Sequence, residues 1–236
     1  MKLTAPVYIL KQKAHALKQG EGIPLSAAFN RIAVSEGFAS WSLLQAKAKE
    51  MKPRTTRDIL AYLNPGDLVL IAARPQQGKT RLALELLLEA AREQRPAFFF
   101  SLEYTKKEAE GILQRMTSGN VEPLASLHLD FSDEISADYI IEETAEHLGE
   151  SSLIGIDYLQ LLDQARAKPP LQAQVEKLKA FAKEKGAIIL FISQVDRKFE
   201  GAERAFPESV DIRLPNPLDL ALFNKKLFLK DGEFRL

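Results

Sequence analysis

There is no cysteine anywhere in this sequence of 236 residues. That absence removes disulfides, thiolate catalysis and cysteine-based zinc sites together, and it fits a reducing compartment. Net charge is missing too, because 32 lysines and arginines balance 32 aspartates and glutamates. No global field therefore draws the chain to a polyanion, and any nucleic-acid binding has to come from local clusters or from assembly of several subunits. No stretch approaches the roughly 18 apolar residues of a membrane span, and the N-terminus lacks the uninterrupted apolar core of a signal peptide. The expected location is cytoplasmic. What remains, with 46% hydrophobic and 27% charged residues, is the composition of a soluble globule long enough for one α/β domain and a small appendage.

The strongest positive signal is Ala73-Arg74-Pro75-Gln76-Gln77-Gly78-Lys79-Thr80, followed by Arg81. Before it, Asp67 to Ala72 is short and continuously apolar after its first residue, the pattern of a strand buried on both faces of a parallel sheet. After it, Leu82, Leu86, Leu87 and Ala90 recur at helical spacing. A strand, a tight loop and a helix in that order form a phosphate cradle, because backbone N–H groups and the positive end of the helix converge on one anion. Ala73 to Arg81 is thus the candidate nucleotide-binding stretch, with Lys79 a mobile charge for the outer phosphates and the Thr80 hydroxyl placed to hold Mg²⁺. The loop departs from G-x-x-x-x-G-K-[ST] only in having Ala73 at its first position.

Upstream, residues 5 to 50 read as a separate helical unit. Val7, Leu10, Ala14 and Leu17 share one stripe, Gly20 to Gly22 breaks it, and Ser26 is placed to cap a second helix carrying Phe29, Ile32 and Ala33. Gly37 to Trp41 then turns into a third helix, with Trp41 as the anchor of a small core. The lysines here, Lys11, Lys13, Lys18, Lys47 and Lys49, read as a solvated face. Glu50 to Arg57 is polar and contains proline, as a linker does, and a short helix from Asp58 to Leu63 leads to the turn Asn64-Pro65-Gly66.

Downstream, Ala97 to Glu103, Leu127 to Phe131, Leu153 to Asp157 and Ala187 to Ile192 read as strands. Helices are expected from Thr105 to Met116, around Ile140, Ile141 and Leu148, and around Val175, Leu178 and Phe181, with a basic loop at Gln164 to Pro170. This alternation predicts a mostly parallel sheet covered on both faces, whose ligands sit at the carboxyl ends of its strands. Near the end, Leu220 to Phe223, Lys226 to Leu229 and Glu233 to Leu236 read as short strands, with Asp231-Gly232 a hairpin turn.

Phosphoryl transfer also needs an acid to orient the metal, a group to position water and a cation for the developing charge. Asp157, ending an apolar strand, suits the metal directly or through water. Glu103 suits activation of the water, and Gln194 suits sensing of the γ-phosphate.

At these residues the chain resembles the ATPase domain of the DnaB replicative helicase family, within the RecA-like fold. ARPQQGKT resembles that family's ARPxxGKT, in which alanine also stands first. FFFSLEY resembles the strand whose glutamate serves as catalytic base, which implies that role for Glu103. IGIDYLQLL resembles the Walker B segment, implying Mg²⁺ coordination by Asp157, and LKAFAKEKGAIILFISQVDR resembles the helix, strand and glutamine-bearing switch, with Gln194 as its glutamine. The resemblance covers about residues 57 to 200 and implies ATP and Mg²⁺ as ligands, self-association as a homo-oligomer such as a hexamer, and contact with single-stranded DNA. In hexameric relatives the loop after the switch lines a pore, which marks Arg197, Lys198 and Arg204 as candidate nucleic-acid contacts.

Two departures accompany it. The family's N-terminal helical collar has no counterpart, and in Phe228-Leu229-Lys230-Asp231-Gly232 a lysine, Lys230, stands where the family has a trans-acting arginine. Lysine lacks arginine's bidentate geometry. The expected organisation is a helical domain at 1–50, a linker at 51–57 and a RecA-like ATPase domain at 58–236. The expected function is DnaB-like ATP hydrolysis coupled to single-stranded DNA or to translocation; the alternative is a nucleotide-switched recruitment module with slow turnover.

Overall fold

The computed structural model describes residues 3–5, 7–50, 53, 55–120, 122–159, 162, 169–201, 204–214 and 216–236, and the chain divides into two compact units, Met1–Asn64 and Pro65–Leu236. Among its described residues the first unit carries the helices α1 (Val7–Glu21), α2 (Leu25–Ser35), α3 (Trp41–Glu50) and α4 (Thr56–Tyr62). Leu10, Ala33 and Leu44 close a small core with Val7, Ile32, Phe38 and Trp41 around them. Trp41 also stacks on Phe29 at 4.7 Å, an anchor as its size suggests.

Ser26 does not cap α2. The helix begins earlier, at Leu25, with Pro24 in the cap position and no side-chain bond; its first rung runs from the Ala28 N–H to the Pro24 carbonyl, at 3.0 Å. The linker expectation at 51–57 includes positions outside the described residues, and its last two residues, Thr56 and Arg57, already belong to α4. Thr55 caps that helix through a reciprocal box with Asp58, which is why it starts at Thr56.

The second unit is built on seven strands in the order β3-β2-β4-β5-β1-β6-β7. In chain order the elements are β1 (Leu68–Ala73), α5 (Lys79–Arg92), β2 (Ala97–Ser101), α6 (Lys106–Met116), β3 (Leu127–Asp130), α7 (Ala137–Thr144), β4 (Leu153–Asp157), α8 (Leu171–Lys185), β5 (Ile188–Gln194), β6 (Lys225–Lys230) and β7 (Glu233–Arg235). All neighbouring pairs are parallel except β6 with β7. Strands β1, β2 and β4 are buried along their whole length, the consequence of apolar side chains on both faces.

One close approach fixes the middle of the sheet. A Cβ added at Gly155 in β4 would stand 3.1 Å from Leu87 of α5 and 3.2 Å from Phe99 of β2, so glycine lets the helix settle on the strand. At the hairpin, Asp231 and Gly232 both have positive φ, 52° and 81°, matching the expected turn.

Three expectations need correction or fall outside. Leu148 lies beyond α7, which ends at Thr144, although it still packs against the core. Leu220–Leu222 is a 3-10 turn rather than a strand, because Asp219 accepts a hydrogen bond from the Ala221 N–H at 2.8 Å and bends the chain. The basic loop at 164–170 lies, up to position 168, outside the described residues.

Candidate functional site

Four adjacent strands deliver the site. In the order β2, β4, β5, β1 their carboxyl ends carry Ser101, Asp157, Gln194 and Ala73, with Ser101 paired to Asp157 and Ala73 to Gln194 in register. Glu103 follows β2 by two residues, its N–H donating to the Ser101 hydroxyl at 3.1 Å. The residues singled out between positions 73 and 194 therefore converge on one rim.

The loop from Ala73 to Thr80 turns through two left-handed residues, Gln76 at φ 65° and Gly78 at φ 82°. Gly78 immediately precedes α5, and a Cβ there would meet nothing within 4 Å; the first N–H groups of a helix have no intrahelical partner, which makes this end suited to an anion. Lys79 is half-buried and Thr80 is buried.

The Thr80 hydroxyl donates to Asp157 Oδ2 at 2.8 Å. Asp157 has no exposed surface, and its carboxyl is pushed up to about 7. Burial is the main cause and the charge of Glu103 adds to it, while the Thr80 hydrogen bond and the Lys79 charge oppose it. Among the described residues, Oδ1 of Asp157 is buried without a hydrogen-bond partner. A buried carboxylate oxygen left in that condition, beside a hydroxyl and facing a phosphate cradle, fits a hard divalent cation. No cluster of three or more His, Cys, Asp or Glu side chains suited to a metal occurs among the described residues.

Some expected contacts go elsewhere. Arg74 directs its guanidinium to the segment after β5, where Nε donates to Glu200 Oε1 at 2.8 Å and Nη1 to the Val195 carbonyl at 2.9 Å. Arg81 is exposed and paired with Glu85 one turn along α5, at 3.0 Å. Gln77 Oε1 accepts from the Asp231 N–H at 2.6 Å, tying the loop to the hairpin. Gln194 Oε1 accepts from Arg213 Nη1 at 3.2 Å. Pro75 and Gln76 are exposed at the tip.

Of the candidate nucleic-acid contacts, Arg197 and Lys198 are exposed on a 3-10 turn, Arg197–Gly201. Arg204 is held by Asp211, through 2.7 and 2.9 Å bonds from Nη2, and by Glu208 at 3.1 Å. Lys230 lies with its ammonium 5.6 Å from the centre of the Phe199 ring.

One residue at the rim carried no assignment from sequence. Tyr104 is half-buried beside Glu103; burial raises its hydroxyl, hydrogen bonding with Thr80 lowers it, and the charges of Asp157, Glu103 and Glu108 raise it further. Its place next to the candidate base was the available signal.

The model of the DnaB-like helicase C terminal domain matches residues 57–122 and 124–216. A probable replicative DNA helicase of Trieres chinensis is 26% identical over 78% of this chain and 50% of its own. The replicative DNA helicase DnaB of Mycoplasma genitalium is 30% identical over 67% of this chain and 42% of its own. The chain thus spans half or less of the length of these relatives. Among solved structures, an ATPase domain superposes with a TM-score of 0.53 at 22% identity, over 72% of this chain and 75% of that one. A DnaB-like replicative helicase gives 0.55 at 21%, over 88% and 63%. The fold is the RecA-like P-loop ATPase fold. With a model match over more than half its length, at positions that include the cradle, Glu103, Asp157 and Gln194, the chain belongs to the family of DnaB-like helicase C-terminal domains.

Proposed function

We propose that the chain binds ATP with Mg²⁺ and hydrolyses it, works as a homo-oligomer, and couples turnover to single-stranded DNA. The observation that carries this reading is the Thr80–Asp157 pair, with its unsatisfied buried Oδ1, at the mouth of an anion cradle. Thr80 and Asp157 are the residues that would hold Mg²⁺, which when bound neutralises charge on the outer phosphates.

The chain's own groups divide the remaining work. Backbone N–H groups at the start of α5 bind phosphate oxygens, and Lys79 places its ammonium on the outer phosphates. Glu103 orients the attacking water and accepts its proton, and Gln194 contacts the γ-phosphate. Arg197 and Lys198 are the exposed cations for a nucleic-acid backbone, while Arg204 keeps the shape of the segment that carries them. Lys230, beside the hairpin turn, stands at the sequence position where the family's trans-acting arginine is expected.

The test is steady-state ATP hydrolysis with and without a single-stranded oligonucleotide. The proposal expects stimulation on the order of tenfold, within the usual range for coupling between two ligands of one protein. Nucleotide binding with turnover that ignores DNA would instead identify a slow nucleotide switch.

A further inference from the structure

Arg74 stands inside the phosphate loop, yet its side chain belongs to another element. Its side chain is only 17% exposed, and its guanidinium meets Glu200 Oε1 at 2.8 Å through Nε and 2.6 Å through Nη2 and gives Nη1 to the Val195 carbonyl. Backbone bonds reinforce the junction, for the Val195 N–H donates to the Ala73 carbonyl at 2.9 Å and Val195 bridges Ile212. Beyond it the Asp196 N–H donates to the Asp211 carbonyl and the Arg213 N–H to the Gln194 carbonyl, at 2.7 and 2.8 Å. The ends of the segment after β5 are thereby pinned together, directly against the phosphate loop.

Within that segment Phe199 is buried and Glu200 is 64% exposed, so the Arg197–Gly201 turn is anchored by one apolar side chain and by the Arg74–Glu200 pair. On its other side the loop is held by the Gln77–Asp231 bond, and Lys230 of the same hairpin lies over Phe199. The loop, the turn and the hairpin therefore share a closed set of contacts.

We infer that Arg74 is a positioning residue which, through Glu200, makes the placement of the Arg197–Gly201 turn depend on occupancy of the phosphate loop. The inference rests on the nucleotide-binding reading above. A triphosphate adds several negative charges next to the loop that carries Arg74, and the loop's geometry reaches the turn along a rigid, multidentate guanidinium contact. Coupling of this kind is reciprocal in binding free energy. The turn carries Arg197 and Lys198, so the same contact would pass nucleotide occupancy to the exposed cations.

The experiment is amide hydrogen exchange of the peptide covering 195–201 in the full chain, with and without Mg²⁺ and a non-hydrolysable ATP analogue. Nucleotide affinity is measured in parallel by calorimetry. Wild type should slow its exchange on the order of tenfold when nucleotide binds, within the usual range of coupling factors. Glu200→Lys, a change at an exposed position, should bind the analogue within about threefold of wild type and lose the response, because a surface charge pair contributes little to stability. Glu200→Asp, which restores a carboxylate, should retain most of it.

A full response in Glu200→Lys would overturn the inference, as would wild type that binds nucleotide without any response. Wild type that binds no nucleotide would overturn the proposed function instead, and the inference with it.

Discussion

Asp157 shows what a single carboxyl does when the fold removes its water. Its folded value of about 7 lies above the ordinary 3.8, with burial as the main cause. Between those values the folded state holds a proton that the unfolded state has lost, so this residue makes stability fall as pH rises from about 4 to about 7. Asp157→Asn should remove that component: its stability gain over wild type, read as the difference in denaturant midpoint, grows across the window at about 1.4 kcal/mol per unit and levels off above it. A difference that does not vary with pH would contradict the assignment. Lys79→Ala, by contrast, removes the ammonium proposed to meet the outer phosphates, from a half-buried position outside the core. It should weaken ATP binding roughly 10- to 100-fold, as checked by calorimetry. The cradle, Glu103, Asp157 and Gln194 were legible in sequence because each sits at a motif position next to an apolar strand. The Arg74–Glu200 pair was not, since it depends on which residue distant in the chain stands opposite the loop.

At the scale of elements, the central strands β1, β2, β4 and β5 were legible because short, nearly continuous apolar runs ended at polar residues. Elements decided by local side-chain bonds were less so. Ser26 looked like a cap but lies inside the first turn of α2, and the apolar run from Leu220 to Phe223 reads as a strand although Asp219, just before it, bends the chain into a 3-10 turn. Nor did the apolar pattern of β4 reveal that Gly155 is the point where α5 meets the sheet. Adding a methyl there forces Leu87 and Phe99 to yield by a few tenths of an ångström. Gly155→Ala should therefore lower stability by about 1–3 kcal/mol through overpacking. The check is a chemical denaturation curve, whose midpoint should fall with an unchanged slope.

For the whole molecule, the balance of charge conceals a division. Residues 1–64 contain ten lysines and arginines against four acids, whereas residues 65–236 contain 22 against 28. Attraction of a polyanion to the chain should then depend on the first unit as well as on Arg197 and Lys198. Lys11 and Lys18 are exposed and seven residues apart on α1, which places them on one face. Replacing both by glutamate should weaken binding to a single-stranded oligonucleotide and reduce the slope of log affinity against log salt by about 1.4, at roughly 0.7 per lost phosphate contact. An unchanged slope would assign the binding to other cations. The wider claim is that four strands, arriving from distant parts of the sequence, gather Gly78 to Thr80, Glu103, Asp157 and Gln194 around one triphosphate. It is tested most directly by measuring ATP turnover of wild type and Glu103→Gln at nucleotide concentrations that saturate both. The account predicts that the variant still binds Mg²⁺ and ATP while its turnover drops about 10²- to 10⁴-fold, the usual contribution of a general base; equal turnover in the two proteins would contradict it.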